Sequence, residues 1–135
     1  GVIRKLLRWK SEPAVVILNN VFYDTGKTAQ DFHNAVGNWY QVPHVSMKDT
    51  LYQEMQQGKY TREELTPDGL HPNDKGHKLV AEKIIAFLEE VRSHMAEKED
   101  ELTIPESMTQ NAYENARRLT SREISPELAG FRADT

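Results

Sequence analysis

Residues 66–77 read Thr66-Pro67-Asp68-Gly69-Leu70-His71-Pro72-Asn73-Asp74-Lys75-Gly76-His77. A carboxylate and an imidazole stand three residues apart in a stretch too rich in Pro and Gly to be helical, directly before a long amphipathic segment. Pro67 and Pro72 each restrict φ to about −65°, and Gly69 is free to take the positive φ of a tight bend. Leu70 is the large apolar group within the turn and the expected anchor for it. Asp68 and His71 are therefore expected to emerge from one rigid loop. A neutral imidazole is the best proton acceptor near neutral pH, and it works best when one ring orientation and one tautomer are enforced. A carboxylate on Nδ1–H enforces both and stabilises the imidazolium that follows proton uptake, so the spacing predicts an orienter and a base.

Two other readings fit the same residues. Asp-Gly is a common turn pair and Asn73 or Asp74 a good helix cap, so the turn can be purely structural. Asp68, His71, Asp74 and His77 also recur at every third position, a spacing open to metal ligation. Two of the four fall in a turn and two on a helix, which argues against a shared face, and the predicted site contains no metal.

The block Asp68-Gly69-Leu70-His71-Pro72, continued by Asn73-Asp74-Lys75-Gly76-His77 and a helix, resembles the last motif of the SGNH (GDSL-type) hydrolases. The resemblance extends over roughly Val2 to Met95 and fits the C-terminal half of that domain, because strand, helix, strand and closing helix follow in the expected order. It implies an incomplete three-layer α/β/α, flavodoxin-like parallel sheet. It also implies a serine esterase in which His71 is general base and Asp68 its orienter, with no metal or organic cofactor. In such enzymes the nucleophile is a Ser in a Gly-Asp-Ser block near the domain's N-terminus, with a Gly and an Asn from two intermediate blocks completing the oxyanion hole. None of these three blocks occurs in this chain. The resemblance thus implies small esters, first of all acetylated carbohydrates, as substrates, and a missing N-terminal half of the domain as partner. The chain by itself is expected to be inactive. The alternative is a non-catalytic remnant or binding module that keeps the turn for its structural value.

Upstream of the turn, Gly1 to Lys10 carries Val2, Ile3, Leu6 and Leu7 at helical spacing among basic residues. Ala14-Val15-Val16-Ile17-Leu18 is a continuous apolar run rich in β-branched residues, the pattern of a strand buried on both faces of a parallel sheet. Asn19 and Asn20 follow it, either as a wall of the cleft at the strand's carboxyl end or as satisfiers of backbone in a sharp loop. Thr28 to Trp39 reads as a helix with Phe32, Ala35 and Val36 on one face, closed by Gly37-Asn38. Val42 to Met47 reads as a second strand, and Lys48 to Gln57 as a helix with Asp49 as its cap and Gly58 as its stop. Ser46 lacks any nucleophile-elbow context and is read as structural, and His33 and His44 lack an acidic partner at a telling spacing.

Asp74 to about Lys98 is the most regular helix, with Val80, Ile84, Phe87, Leu88, Val91 and Met95 forming a stripe for a sheet. Beyond Met95 a charge run begins, and residues 96–135 are read as a linker or the start of an accessory segment, with a short helix over Asn111–Leu119. Two parallel strands cannot cover this many helices. The sequence therefore predicts an exposed ladder edge and apolar face on the first strand, and with them association, poor solubility or a native chain that continues upstream.

The composition agrees with this reading. At 135 residues, with 38% hydrophobic and 28% charged residues and a formal charge of −4, the chain offers no basic surface for nucleic acid or an anionic membrane. The absence of cysteine excludes disulfide and thiolate chemistry and leaves the compartment open between secreted and cytoplasmic.

Overall fold

A computed structural model describes residues 1–94, 103–118 and 120. Its elements, in chain order, are α1 (Val2–Leu7), β1 (Ile17–Asn19), α2 (Gln30–Trp39), β2 (His44–Ser46), a π-helical turn (Lys48–Tyr52) running into α3 (Gln53–Gln56), α4 (Arg62–Leu65) and α5 (Asp74–Ser93). β1 and β2 pair in parallel with Ile17 opposite His44, Leu18 opposite Val45 and Asn19 opposite Ser46. The fold is α/β, with helices around a small parallel sheet. Among the described residues no helix is long and apolar enough to cross a membrane.

The crossover from β1 to β2 is tight because α2 lies on the sheet through Gly37. A Cβ at that position would stand 2.1 Å from the His44 ring and 2.9 Å from Ile17. Gly37 thus permits close helix–sheet approach inside α2, which continues to Trp39, and does not close the helix as the sequence predicted.

The core lies beneath the carboxyl ends of the strands. Val21 and Tyr23 follow β1, Met47 and Leu51 follow β2, Leu65 precedes the Asp68 turn, and Leu79 and Val80 follow it. Together with Val45 these residues form one buried cluster. Fully burying each such side chain is worth about 1.5–3 kcal/mol, so the best-packed part of the chain is the floor on which the turn stands.

Several expectations are corrected here. The first strand is shorter than Ala14–Leu18; Val16 and Leu18, each 37% exposed, form the expected uncovered apolar face, because β1 has a ladder partner on one side only among the described residues. Phe32 and Val36 of α2 are exposed for the same reason, since two strands give that face too little sheet to cover it. The helix read over Lys48 to Gln57 begins as a π-helical turn closed by Tyr52 N–H to Met47 O, and Asp49 lies in its first turn instead of capping it. The stripe of α5 is buried only at its start. Ile84 and Phe87 pack partly against the core, while Leu88 and Val91 face outward and Met95 to Lys98 lie outside the described residues.

Residues 111–116 form turns with i to i+3 hydrogen bonds, and no helix is seen in the described part of Asn111–Leu119. The arm from 103 to 118 lies back against α1 and the end of α2. Glu114 pairs with Arg4 at 3.0 Å and Arg8 at 2.8 Å, Trp39 Nε1 donates to Glu106 O, and the amide of Met108 donates to Tyr40 Oη.

Candidate active site

The turn is built from Thr66 outward. Leu65 and Thr66 have no exposed surface, and Thr66 Oγ1 accepts from the amides of Asp68 (3.3 Å) and Gly69 (3.0 Å) while donating to Asp68 Oδ1 (3.2 Å). Such local bonds replace the helical ladder that Pro67 prevents. The anchor is therefore the Leu65-Thr66 pair, not Leu70, which is only half-buried. Gly69 takes φ +84°, the left-handed conformation expected of it. That bend turns the amides of Leu70 and His71 back onto Asp68 Oδ1 at 3.0 and 2.8 Å.

Asp68 Oδ2 is left for His71, whose Nδ1 lies 2.6 Å away. An ionised carboxylate only accepts, so Nδ1 carries the hydrogen and, in the neutral ring, Nε2 holds the lone pair. Asp68 is held well below the usual carboxylate range, first by the His71 hydrogen bond and then by the amides of Leu70 and His71. The two sequence-predicted residues are thus brought together as an oriented imidazole and an ionised partner. Both side chains face solvent, the imidazole at 77% exposure.

The turn passes into α5 through Asn73, whose Oδ1 accepts from Gly76 N at 2.9 Å as an N-cap. His77 is exposed on the first turn of that helix. Among the described residues no three His, Asp or Glu side chains converge on a point that could hold a metal ion, so Asp74 and His77 do not join Asp68 and His71.

The remaining candidates serve the frame. Asn19, 1% exposed, ends β1 and joins it to α2 by donating to Asn34 Oδ1 at 2.9 Å and accepting from His33 Nδ1 at 2.8 Å. Its side-chain bonds go to these two side chains and not to loop backbone, and the Asn20 carbonyl accepts from Thr28 Oγ1. Ser46 Oγ donates to Gln30 Oε1 and accepts from Asp49 N, and His44 Nε2 meets Asn38 Oδ1 at 3.2 Å. Among the described residues no serine bonds to His71.

Sequence reasoning missed Thr66, Tyr23 and Asp24 as supports of the turn. For Thr66 a signal existed, a hydroxyl two residues before an Asp-Gly pair. Tyr23 donates its amide to Gly69 O across a long sequence separation, which no local pattern announces.

The α/β scaffold, with the turn at the carboxyl ends of its parallel strands, is similar to part of a carbohydrate esterase. The particular likeness is to a crystal structure of a two-domain esterase (CEX) active on acetylated mannans. The TM-score is 0.76 and the identity 42%, over 82% of this chain and 30% of that one. A second crystal structure of such an esterase, co-crystallised with mannopentaose, gives a TM-score of 0.71 and 41% identity, over 82% of this chain and 28% of that one. The chain therefore spans about a third of the length of these relatives. No family model matches the chain, and no curated protein does.

Proposed function

We propose that this chain supplies the base and its orienter to a serine ester hydrolase of the SGNH (GDSL-type) kind that removes acetyl groups from carbohydrates. The observation that carries the reading is the 2.6 Å contact between His71 Nδ1 and Asp68 Oδ2, which leaves Nε2 as an outward-facing acceptor. The likeness to an esterase active on acetylated mannans, seen also with mannopentaose, supports the substrate class.

In this mechanism a serine from a segment outside this sequence loses its proton to His71 Nε2 as its oxygen attacks the acetyl carbonyl. The tetrahedral oxyanion, held by donors of that same segment, collapses and expels the sugar oxygen, which takes the proton back from His71. Water, deprotonated by the same imidazole, then releases acetate and restores the serine. Asp68 stays ionised throughout, fixing the tautomer and balancing the imidazolium.

The rival reading, a turn retained for structure alone, draws on the self-sufficiency of the Thr66–Asp68 network, which needs no substrate to explain it. Acetate release from acetylated mannan separates the two. The 135-residue chain alone is expected to match a His71→Ala control. Joined to a segment bearing a Gly-Asp-Ser block, it is expected to be active, with His71→Ala losing about 10⁴-fold in kcat. Full activity of the joined protein after His71→Ala would refute the proposed base.

A further inference from the structure

An ion pair that the proposed reaction does not use braces the Asp68–His71 turn from outside. Asp24 comes from the loop after β1 and Arg62 from the first turn of α4. Arg62 Nε donates to Asp24 Oδ1 at 2.6 Å and Nη2 reaches Oδ2 at 3.5 Å. The Asp24 carboxylate fills the space beside Gly69, where a Cβ would stand 2.1 Å from Oδ2. Its neighbour Tyr23 donates its amide to Gly69 O at 2.7 Å. Gly69 is therefore gripped at its carbonyl and at its Cα, and its φ aims the Leu70 and His71 amides at Asp68.

Exposed ion pairs add little to stability on their own, and these two side chains are 50% and 32% exposed. Their placement gives them a different use. We propose that Asp24 and Arg62 are positioning residues: the pair presses the Asp24 carboxylate against Gly69 and so keeps Asp68 in register with Nδ1 of His71. Its importance to catalysis rests on the function proposed above, whereas the geometric claim does not.

The charges facing Asp68 are His71 and, through its field, Arg62, which also faces Asp24 and Glu63. This makes the two partners separable. By field alone, Asp24→Asn lowers the Asp68 titration midpoint and Arg62→Gln raises it. By loss of positioning, both raise it, because the contact with His71 and the amide bonds loosens.

The test uses the full 135-residue chain, isotopically labelled. Long-range proton–nitrogen correlations above neutral pH report the His71 tautomer, and the Asp68 carboxyl carbon reports its midpoint. In both variants the Nδ1–H fraction is expected to fall to about half or less, and the Asp68 midpoint to rise by about one pH unit. Arg62→Lys, which keeps the charge without the fork, is expected to restore part of both. Lys59→Met, which removes a separate exposed pair with Glu54, serves as control and is expected to leave both unchanged.

Opposite movements in the two variants, no movement, or an equal movement in the control would overturn the proposal. Asp24→Asn preserves shape, so it decides the matter if Arg62→Gln fails to fold. None of these readouts depends on acetate release, so failure here leaves the esterase reading standing.

Discussion

Gly76 sits with its Cα against the carbonyl oxygen of Leu65, so close that a Cβ would stand 2.2 Å from that oxygen and 2.9 Å from Pro72. The first turn of α5 is thereby pinned to the last residue of α4, and the Asp68 turn is the short span between them. The same carbonyl accepts from the amide of Asn73 at 2.9 Å. The position of His71 is thus set by two helix ends that meet backbone to backbone.

Gly76→Ala tests this junction through its sign. In an ordinary helix interior the change gains up to about 1 kcal/mol, because glycine is the poorer helix former. Here the added methyl meets backbone that cannot rotate away, and the expected result is a net loss of about 2–3 kcal/mol in urea unfolding. A stabilised variant would mean that α4 and α5 are not locked together.

Asn73 does two jobs at the same junction, capping Gly76 N and donating Nδ2 to Glu63 O at 3.2 Å. Asn73→Ala removes both and is expected to cost about 1–2 kcal/mol, while Asn73→Ser keeps the cap and costs less. Equal losses for the two variants in denaturant titrations would assign the effect to the Glu63 contact.

The parts of the site legible in sequence were those written in local chemistry. The positive φ of Gly69, the Asp68–His71 contact and the start of α5 after Asn73 all follow from residues within a few positions of one another. The two parallel strands and their exposed edge were equally readable, since a β-branched run declares its type and its need for neighbours. Burial was not legible, because it depends on what lies opposite. Leu88 and Val91 read as part of the buried stripe of α5 and face outward, whereas Leu65 and Thr66, unremarkable in sequence, vanish beneath the turn. Arg4 is a clearer case: its apparent place on a polar helix face is covered by an arm more than a hundred residues away, whose Glu114 pairs with it.

Acid should weaken the chain through carboxylates held ionised in the fold. Glu54 is lowered first by its hydrogen bond to Lys83 and then by that to Lys59, and Asp68 is lowered by His71 and two amides. A folded-state value below the unfolded one stabilises above the ordinary carboxylate range and is lost as pH falls through it. Urea midpoints are therefore expected to be level near neutrality and to drop below about pH 4. Glu54→Gln should cost more at about pH 7 than at about pH 3; a cost independent of pH would assign Glu54 a packing role instead.

The uncovered side of β1 makes a prediction about the chain in solution. Val16 and Leu18 alternate onto one face, each 37% exposed, and Phe32 on the adjoining helix is 79% exposed. Among the described residues β1 pairs with β2 alone, so its other edge presents free amides and carbonyls beside apolar side chains, the combination that draws in another strand. The chain is expected to self-associate reversibly in sedimentation equilibrium. A lysine at this edge must desolvate its ammonium to be covered, so Leu18→Lys should weaken association by about tenfold while leaving the Asp68–His71 contact unchanged. A chain that sediments as a monomer at every concentration, indistinguishable from Leu18→Lys, would show that the apolar face of β1 is not a binding surface.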